Sequence, residues 1–146
     1  MMLASVKTDI VYRALTAEDI PAARALWGAA PGVELAEGDS PSELLAYVAR
    51  NPGMSQAAVV GSTLAAAVLA GQDGRRGYLY HLAVDARFQG RGIGRVLVER
   101  SLAALRQAGL TRALILVAAD NAGGAAFWSR VGWEPLEEAR PMGIDL

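Results

Sequence analysis

The segment Gln89-Gly90-Arg91-Gly92-Ile93-Gly94 stands between a predicted strand and the clearest predicted helix of the chain. Backbone N–H groups in the first turn of a helix have no partners within the helix, and the helix dipole adds partial positive charge there. Glycines let a pyrophosphate approach this backbone closely, and Arg91 and Arg95 can add charge. The segment therefore predicts a phosphate-binding loop. The plainer alternative is a tight connection in which the glycines serve geometry alone.

This glycine loop differs from two common nucleotide-binding motifs. No Gly-Lys-Ser/Thr follows it, so it is not a Walker loop. It also lacks the G-x-G-x-x-G spacing, and residues 111–116 offer no acidic side chain for a ribose. A nucleotide- or phosphosugar-binding α/β domain stays open as an alternative that rests on the loop alone.

Hydrophobic periodicity and turn residues outline the other elements. Strands are predicted at residues 10–15, 56–60, 63–70, 78–84 and 113–117, helices at 16–27, 41–50, 93–108 and 122–131, and one or two last strands from residue 133. Ser40-Pro41 has the form of a cap followed by proline at the first helical position. Hairpins followed by strand–helix–strand–helix predict an α/β or α+β fold, with about six to seven strands and about four helices around one central sheet.

Composition narrows the possible functions. The 146 residues, 53% hydrophobic and 20% charged, suit one compact domain with a substantial core. A net charge of −1 gives no electrostatic reason to expect nucleic acid or an anionic membrane as the main partner. The absence of cysteine and the single histidine exclude disulfides, thiolate nucleophiles and multi-histidine metal sites.

The apolar runs bear on location. Residues 1–12 contain Lys7 and Asp9 and lack the apolar stretch of a signal peptide. The longest plainly apolar run, residues 64–70, is far shorter than the ~20 residues that span a bilayer. We therefore expect a cytoplasmic protein.

Two motifs together resemble the GNAT superfamily of N-acetyltransferases. The first is Leu82-Ala83-Val84 followed by the glycine loop, which is similar to the family's coenzyme A signature Q/R-x-x-G-x-G/A. The second is similar to the family's Asn-x-x-A…F-Y…G-F/W segment and consists of Asn121-Ala122, Ala126-Phe127-Trp128 and Val131-Gly132-Trp133. The resemblance is strong over residues 78–133. In the N-terminal half it rests on element order.

The resemblance implies one GNAT domain over residues 1–146, with a strongly twisted mixed sheet in which residues 78–84 and 113–117 form two parallel strands splayed in a V. It also implies acetyl-coenzyme A as co-substrate, without a metal. Leu82, Ala83 and Val84 would pair with pantetheine as an added strand would. The pyrophosphate would be held by Gln89, Gly90, Arg91, Gly92, Ile93, Gly94 and Arg95.

Asn121 has two possible roles. By resemblance it would hydrogen-bond the pantetheine arm, and from the residues alone it serves equally well as a helix N-cap. Gly123 and Gly124 each cost a helix ~1 kcal/mol relative to alanine. Close passage of the cofactor would explain these glycines, and so would helix–sheet packing.

The implied chemistry is direct attack of a primary amine on the acetyl thioester. The N–H of Leu82 is the family-like donor to the thioester carbonyl. The family usually has a tyrosine acid where this chain has Trp128, which has no titratable proton. Trp128 is instead expected to pack beside the thioester, and Tyr80, expected on the same strand face as Leu82, is a substitute acid. Phe127 and Trp133 are expected in the core.

The general base is open between two residues. His81 has a suitable intrinsic pKa as a residue type, although a lone histidine in a strand is more often packed and hydrogen-bonded. Glu34 lies in the 31–38 loop, a region that lines the acceptor site in GNAT relatives. The acceptor is expected to be a small-molecule or peptide amine, and a homodimer is possible. The main alternative is a non-catalytic coenzyme A-binding module, for which Trp128 is the best support.

Overall fold

The computed structural model describes residues 9–146, so most of the stretch tested for a signal peptide lies outside the described residues. The elements are β1 (Ile10–Ala14), a 3₁₀ turn (Ala17–Asp19), α1 (Ile20–Ala29), α2 (Pro41–Arg50), β2 (Gln56–Val60), β3 (Thr63–Gln72), β4 (Gly77–Val84), a 3₁₀ turn (Ala86–Phe88), α3 (Ile93–Gln107), β5 (Ala113–Ile115) and α4 (Ala122–Arg130). The chain divides into two compact units, one ending at Leu116 and the other covering Val117–Leu146. All five strands lie in the first unit.

The sheet is mixed, as predicted. Its strand order is β1-β2-β3-β4-β5; the first three pairings are antiparallel, and β4 pairs with β5 in parallel. The expected count of six to seven strands is wrong, because residues 133–146 form no strand. Pro135 and Pro141 have no N–H to donate to a ladder, and every side chain from Glu134 onward is exposed. This segment therefore has no buried face to hold it against a sheet.

The caps predicted for the first two helices have different outcomes. Ser40 Oγ accepts a hydrogen bond from the Glu43 N–H at 3.2 Å and begins α2, with Pro41 at the first helical position, as predicted. The helix expected from residue 16 is first a 3₁₀ turn, in which the Thr16 N–H donates to Asp19 at 2.8 Å. Hydrogen bonds from Arg13 hold the pKa of Asp19 below its usual value.

The core lies on both faces of the sheet. Trp27 of α1 and Leu44 of α2 are buried in one cluster with Ala67 and Leu69 of β3. Residues 65–71 of β3 are all buried, and successive side chains of a strand point to opposite faces, so the other face is covered too. The helix that packs there is α3, whose Leu105 occupies the space where a side chain at Gly77 would begin.

The helices of the described chain are short. Within residues 9–146, no helix is both long and apolar enough to cross a bilayer. The longest is α3, with 15 residues and exposed charged side chains at Arg95, Glu99 and Arg106.

Candidate active site

The strand β4 is paired differently along its two halves. On one side it pairs with β3 from Gly77 to Val84. On the other side it pairs with β5 only from Gly77 to Leu79. Within the part of the chain that the structure describes, residues 80–84 therefore have an edge with no partner strand on the β5 side. β5 ends at Ile115, two residues short of the expected 113–117, so its pairing with β4 stops here. The splayed V implied by the sequence resemblance stays an expectation.

A β-bulge interrupts β4 where this open edge begins. Tyr80 pairs with Leu69 and Ala83 with Ala67, so His81 and Leu82 together lie opposite the single residue Val68. His81 has a φ of 55° and is the one non-glycine residue with positive φ within residues 9–146. Such backbone strain is concentrated at functional sites.

The bulge also changes which side chains share a face. The register puts Tyr80 and Ala83 on one face, and both contribute to the same core cluster although they are three residues apart. Strict alternation would put residues two apart on one face. The expectation that Tyr80 and Leu82 share a face is therefore wrong, because the extra residue shifts the alternation.

The side chain of His81 forms a pair with Asp39 from the loop between α1 and α2. His81 Nε2 lies 2.9 Å from Asp39 Oδ1, and the two side chains are only 18% and 11% exposed. The His81 ring also packs against Trp27, with ring centroids 5.5 Å apart and planes tilted by 50°. Sequence reasoning missed Asp39, because nothing local marks it as a partner of a residue 42 positions away.

Asp39 is itself held in place by the loop. Its Oδ2 accepts a hydrogen bond from the Ala36 N–H at 2.9 Å, and its backbone carbonyl accepts one from Arg24 Nε at 3.0 Å. Glu34, the other sequence candidate in this loop, has an exposed side chain. The loop therefore presents one buried carboxylate toward β4, and Glu34 lies toward solvent.

The glycine loop follows β4 after a single 3₁₀ turn. Gly90 and Gly92 have φ values of 78° and 76°, which disfavour other residues, and no heavy atom lies within 4 Å of a Cβ built at either position. Backbone conformation, rather than crowding, is thus the reason for glycine there. Ile93 and Gly94 are buried at the start of α3.

The first turn of α3 has the features of an anion site. The Val96 N–H donates to the Gly92 carbonyl at 3.2 Å, so the N–H groups of residues 93–95 precede the first intrahelical bond. No acidic residue stands in this turn. The Arg91 guanidinium lies 5.5 Å from the Phe88 ring centroid, and Arg95 pairs with Glu99 on the exposed helix surface at 3.2 Å. The start of α3 therefore combines backbone N–H donors, two arginine side chains and open space around Gly90 and Gly92.

Gln89 occupies a different position in the same loop. Its Nε2 donates to the Val84 carbonyl at 3.3 Å, and its side chain is exposed. It therefore links the end of β4 to the start of the glycine loop.

Three tyrosines cluster on the N-terminal part of β4 and on α2. Tyr80 stacks on Tyr78 at 6.2 Å and meets Tyr47 edge-on at 6.3 Å. Burial raises the pKa of Tyr80 above its ordinary value, followed in size by the effect of Tyr78. A phenol with a raised pKa keeps its proton at neutral pH and is a weaker acid than an ordinary tyrosine, so the Tyr80 hydroxyl is available as a hydrogen-bond donor.

The second unit contains the remaining predicted site residues. Asn121 is the N-cap of α4, and its Oδ1 accepts from the Gly124 N–H at 2.9 Å. A Cβ at position 124 would collide with the Asn121 amide, which explains Gly124, whereas a Cβ at Gly123 would meet no heavy atom within 4 Å. The capping role of Asn121 is thus present, and it leaves the amide nitrogen as a donor.

Trp128 is the buried residue of α4. Its ring meets Phe127 edge-on at a centroid distance of 5.2 Å and Trp133 at 5.1 Å. Phe127 and Trp133, expected in the core, are half-buried. The indole of Trp128 is therefore held within an aromatic cluster of its own segment.

The comparison with known proteins decides the family. The sequence profile of the acetyltransferase (GNAT) family matches residues 15–133, which is more than three quarters of the chain and extends over both compact units. The chain belongs to the GNAT acetyltransferase family. Its fold, a single GNAT domain with a five-stranded mixed sheet and four helices, agrees with this assignment.

Individual GNAT proteins match this chain with different sequence identities and over different fractions of their own length. A mycothiol acetyltransferase of Beutenbergia cavernae is 37% identical over 84 residues, 58% of this chain and 28% of that protein. An acetyltransferase of Pectobacterium atrosepticum is 29% identical over 87 residues, 60% of this chain and 62% of that protein. The chain thus spans less than two thirds of either relative.

Among solved structures, the PaiA N-acetyltransferase of Thermoplasma acidophilum in complex with coenzyme A superposes with a TM-score of 0.73. The match covers 86% of this chain and 90% of that one, at 20% identity. At this identity the likeness shows the fold alone.

The residues predicted to bind the cofactor or the acceptor fall into three places in this structure. Leu82, Ala83 and Val84 lie on the open edge of β4, and the glycine loop with Arg95 follows directly. Asn121 and Trp128 lie in the second unit, and Glu34 lies in the α1–α2 loop. Within residues 9–146, no group of three histidine, aspartate or glutamate side chains could hold a metal ion.

Proposed function

We propose that this GNAT chain transfers the acetyl group of acetyl-coenzyme A to a primary amine by direct attack. The observation that carries the proposal is the open edge of β4 at residues 80–84, which is followed by a glycine loop and by a helix start without acidic residues. An extended arm and a pyrophosphate at its end are the two parts of coenzyme A that such a pair of neighbouring features fits.

The residues of the first unit fit this co-substrate by their chemistry. The backbone of Leu82, Ala83 and Val84 would pair with the pantetheine arm, and the N–H groups of the glycine loop would hold the pyrophosphate. The absence of an acidic residue from the first turn of α3 supports phosphate binding, since a carboxylate there would repel it. When bound, acetyl-coenzyme A supplies an activated acetyl thioester. Asn121 and Trp128 stay predictions as further cofactor contacts.

The chain's own residues would then prepare the amine and the thioester carbonyl. An ammonium must lose a proton before its nitrogen can attack, which requires a base such as His81 or Glu34. The N–H of Leu82 is the proposed donor to the carbonyl oxygen, where negative charge develops. Tyr80, which keeps its phenolic proton, is the proposed acid for the departing thiolate in place of the tyrosine that Trp128 replaces.

The acceptor amine is not carried over from the relatives. The name of the Beutenbergia protein associates that protein with mycothiol, but this chain spans only 28% of it. The proposal therefore extends to a small-molecule or peptide amine as a class. A cytoplasmic location and a homodimer stay predictions.

A second candidate is a GNAT-fold module that binds coenzyme A without turnover. Trp128 favours it, because the residue that usually supplies a proton to the leaving group in the family is here an indole. The two candidates differ in turnover and share cofactor binding.

An amine-panel assay separates these functions. Purified protein is incubated with acetyl-coenzyme A and a panel of amino acids, polyamines, aminoglycosides and peptides, and thiol release is followed together with the mass of the product. We expect thiol release with at least one amine, together with intersecting initial-velocity lines and no acetylated protein, as direct attack requires. Saturable acetyl-coenzyme A binding without product would favour the binding module. Competition by ATP but not by coenzyme A would favour a nucleotide-binding domain.

A further inference from the structure

We propose that Asp39 is a positioning residue that sets His81 as the general base, with Nδ1 as the proton-accepting atom. The inference rests on the proposed acetyl transfer and assigns the base within that site. Its first support is the contact itself: a carboxylate oxygen 2.9 Å from a ring nitrogen, with both side chains largely shielded from water.

The contact determines which ring nitrogen is protonated. An ionised carboxylate only accepts hydrogen bonds, so His81 Nε2 must carry the hydrogen that points to Asp39. In the neutral ring the lone pair is then on Nδ1. Within residues 9–146, no hydrogen bond to Nδ1 accompanies the one at Nε2. Asp39 thus satisfies one nitrogen and leaves the other as the basic atom.

The surroundings hold the pair in one arrangement. Asp39 cannot swing away easily, because its other carboxylate oxygen accepts from the Ala36 N–H and its carbonyl accepts from Arg24. The His81 ring is confined on another side by Trp27. Among the contacts within residues 9–146, the charged groups near the ring are the Asp39 carboxylate and the Arg24 guanidinium that bonds the Asp39 carbonyl, while Tyr80 is the titratable residue next to it on β4.

The backbone of His81 gives the second line of support. Its positive φ places the residue in a strained conformation that glycine or asparagine would adopt more readily. The bulge turns the side chain toward Asp39 and Trp27, directly before Leu82, whose N–H is the proposed donor to the thioester. The strained backbone of His81 would be explained if it orients the side chain toward the site where the acceptor amine binds.

The proposed proton transfer begins at the acceptor ammonium and ends in solvent. The acceptor ammonium gives one proton to His81 Nδ1: its N–H bond breaks, the electron pair stays on the amine nitrogen, and the Asp39 carboxylate keeps its hydrogen bond to Nε2. The nitrogen pair then forms the amide bond as the carbon–sulfur bond breaks. Tyr80 gives its phenolic proton to the sulfur and regains one from the nitrogen, and the proton on His81 passes to solvent, so each cycle yields amide, thiol and one free proton.

The test uses the fact that His81 is the single histidine of the chain, so its ring nitrogens give unambiguous NMR signals. In ¹⁵N-labelled full-length protein we expect the neutral ring to be the Nε2–H tautomer. Asp39→Asn keeps the shape of the side chain and an oxygen that can accept from the Ala36 N–H. Toward the His81 ring, its amide group can present either a donor or an acceptor. We therefore expect a mixed tautomer, and a fall in kcat of about tenfold or more with an unchanged KM for acetyl-coenzyme A.

Glu37→Gln is the matched control, because it removes one negative charge from an exposed position of the same loop. It should leave tautomer and kcat as in the unmodified protein. The loss in Asp39→Asn should shrink at high pH, where the acceptor amine is already neutral, whereas a loss caused by misfolding would not. A predominant Nδ1–H tautomer, or an Asp39→Asn protein with unchanged tautomer or unchanged kcat, overturns the proposal. If no amine releases thiol while the Nε2–H tautomer is found, the proposed function fails together with the base role.

Discussion

The glycine loop and the Asp39–His81 pair are built by different means. The loop consists of consecutive residues and works through the backbone: glycines with positive φ and the N–H groups of one helix turn. The pair consists of two side chains that are 42 positions apart and meet only after β4 and the α1–α2 loop are in place. A proposed binding element can therefore be formed by consecutive residues, whereas the proposed general base depends on contacts made only when the whole sheet is folded.

If this division is correct, damage to the loop should affect cofactor binding alone. Gly92→Asp is expected to weaken acetyl-coenzyme A binding by more than roughly 10²-fold, because a carboxylate would face the phosphates at close range. Aspartate and asparagine both tolerate positive φ better than most residues, so Gly92→Asn is the control of nearly equal size. Calorimetry with both variants measures the effect of the charge. Equal affinities for the two would show that the pyrophosphate binds elsewhere.

Replacement of His81 in the Asp39–His81 pair should instead lower turnover and leave cofactor binding unchanged. His81→Ala is expected to lower kcat roughly 10²-fold and to leave acetyl-coenzyme A affinity unchanged, since the base acts on the amine. The deficit should narrow at high pH, where free amine is abundant without a base; a lysine-like amine has a pKa of about 10.4. Rates measured across pH alongside cofactor calorimetry test this. A parallel loss of cofactor affinity would show that the two regions are not separate.

The smallest effect on turnover is expected when Trp128 is replaced by phenylalanine. Trp128→Phe should keep most of the turnover, because a flat apolar ring remains and no titratable proton is lost. Trp128→Ala should weaken binding of the acetylated cofactor and lower stability by about 3–5 kcal/mol, because a buried ring leaves a cavity. Thermal unfolding and steady-state kinetics of the two variants give the comparison. Loss of turnover in a folded Trp128→Phe protein that binds cofactor would mean that the indole N–H makes a bond that the reaction needs.

Local features of the fold could be predicted from the sequence. The cap at Ser40, the helix start at Ile93 and the hairpin of β2 and β3 follow from consecutive residues with strong preferences, and the structure has them within a few positions. The prediction of strands in residues 133–146 was wrong. The apolar residues of this segment are compatible with strands, but a strand also needs a partner edge and a face to bury.

The candidate site was only partly predictable for a similar reason. The backbone elements proposed to bind the cofactor are encoded in one continuous stretch, residues 82–95. The bulge at His81 is not encoded visibly, since an extra residue in a strand is defined by its neighbour and no glycine marks the position. Asp39 was equally hidden, because an aspartate just before a helix cap is common and its partner is fixed by tertiary structure.

The half-paired strand β4 has a thermodynamic consequence. An edge left open at residues 80–84 means that part of the sheet's hydrogen bonding would be completed by a ligand rather than by the chain. A ligand that binds only the folded protein stabilises it. At a ligand concentration of a hundred times Kd, binding adds about 2.7 kcal/mol to the free energy of unfolding. The amides that point out of this edge should exchange with deuterium readily in the free protein and slowly in the complex. Under the proposed binding mode, the co-substrate would serve as the last strand of the fold.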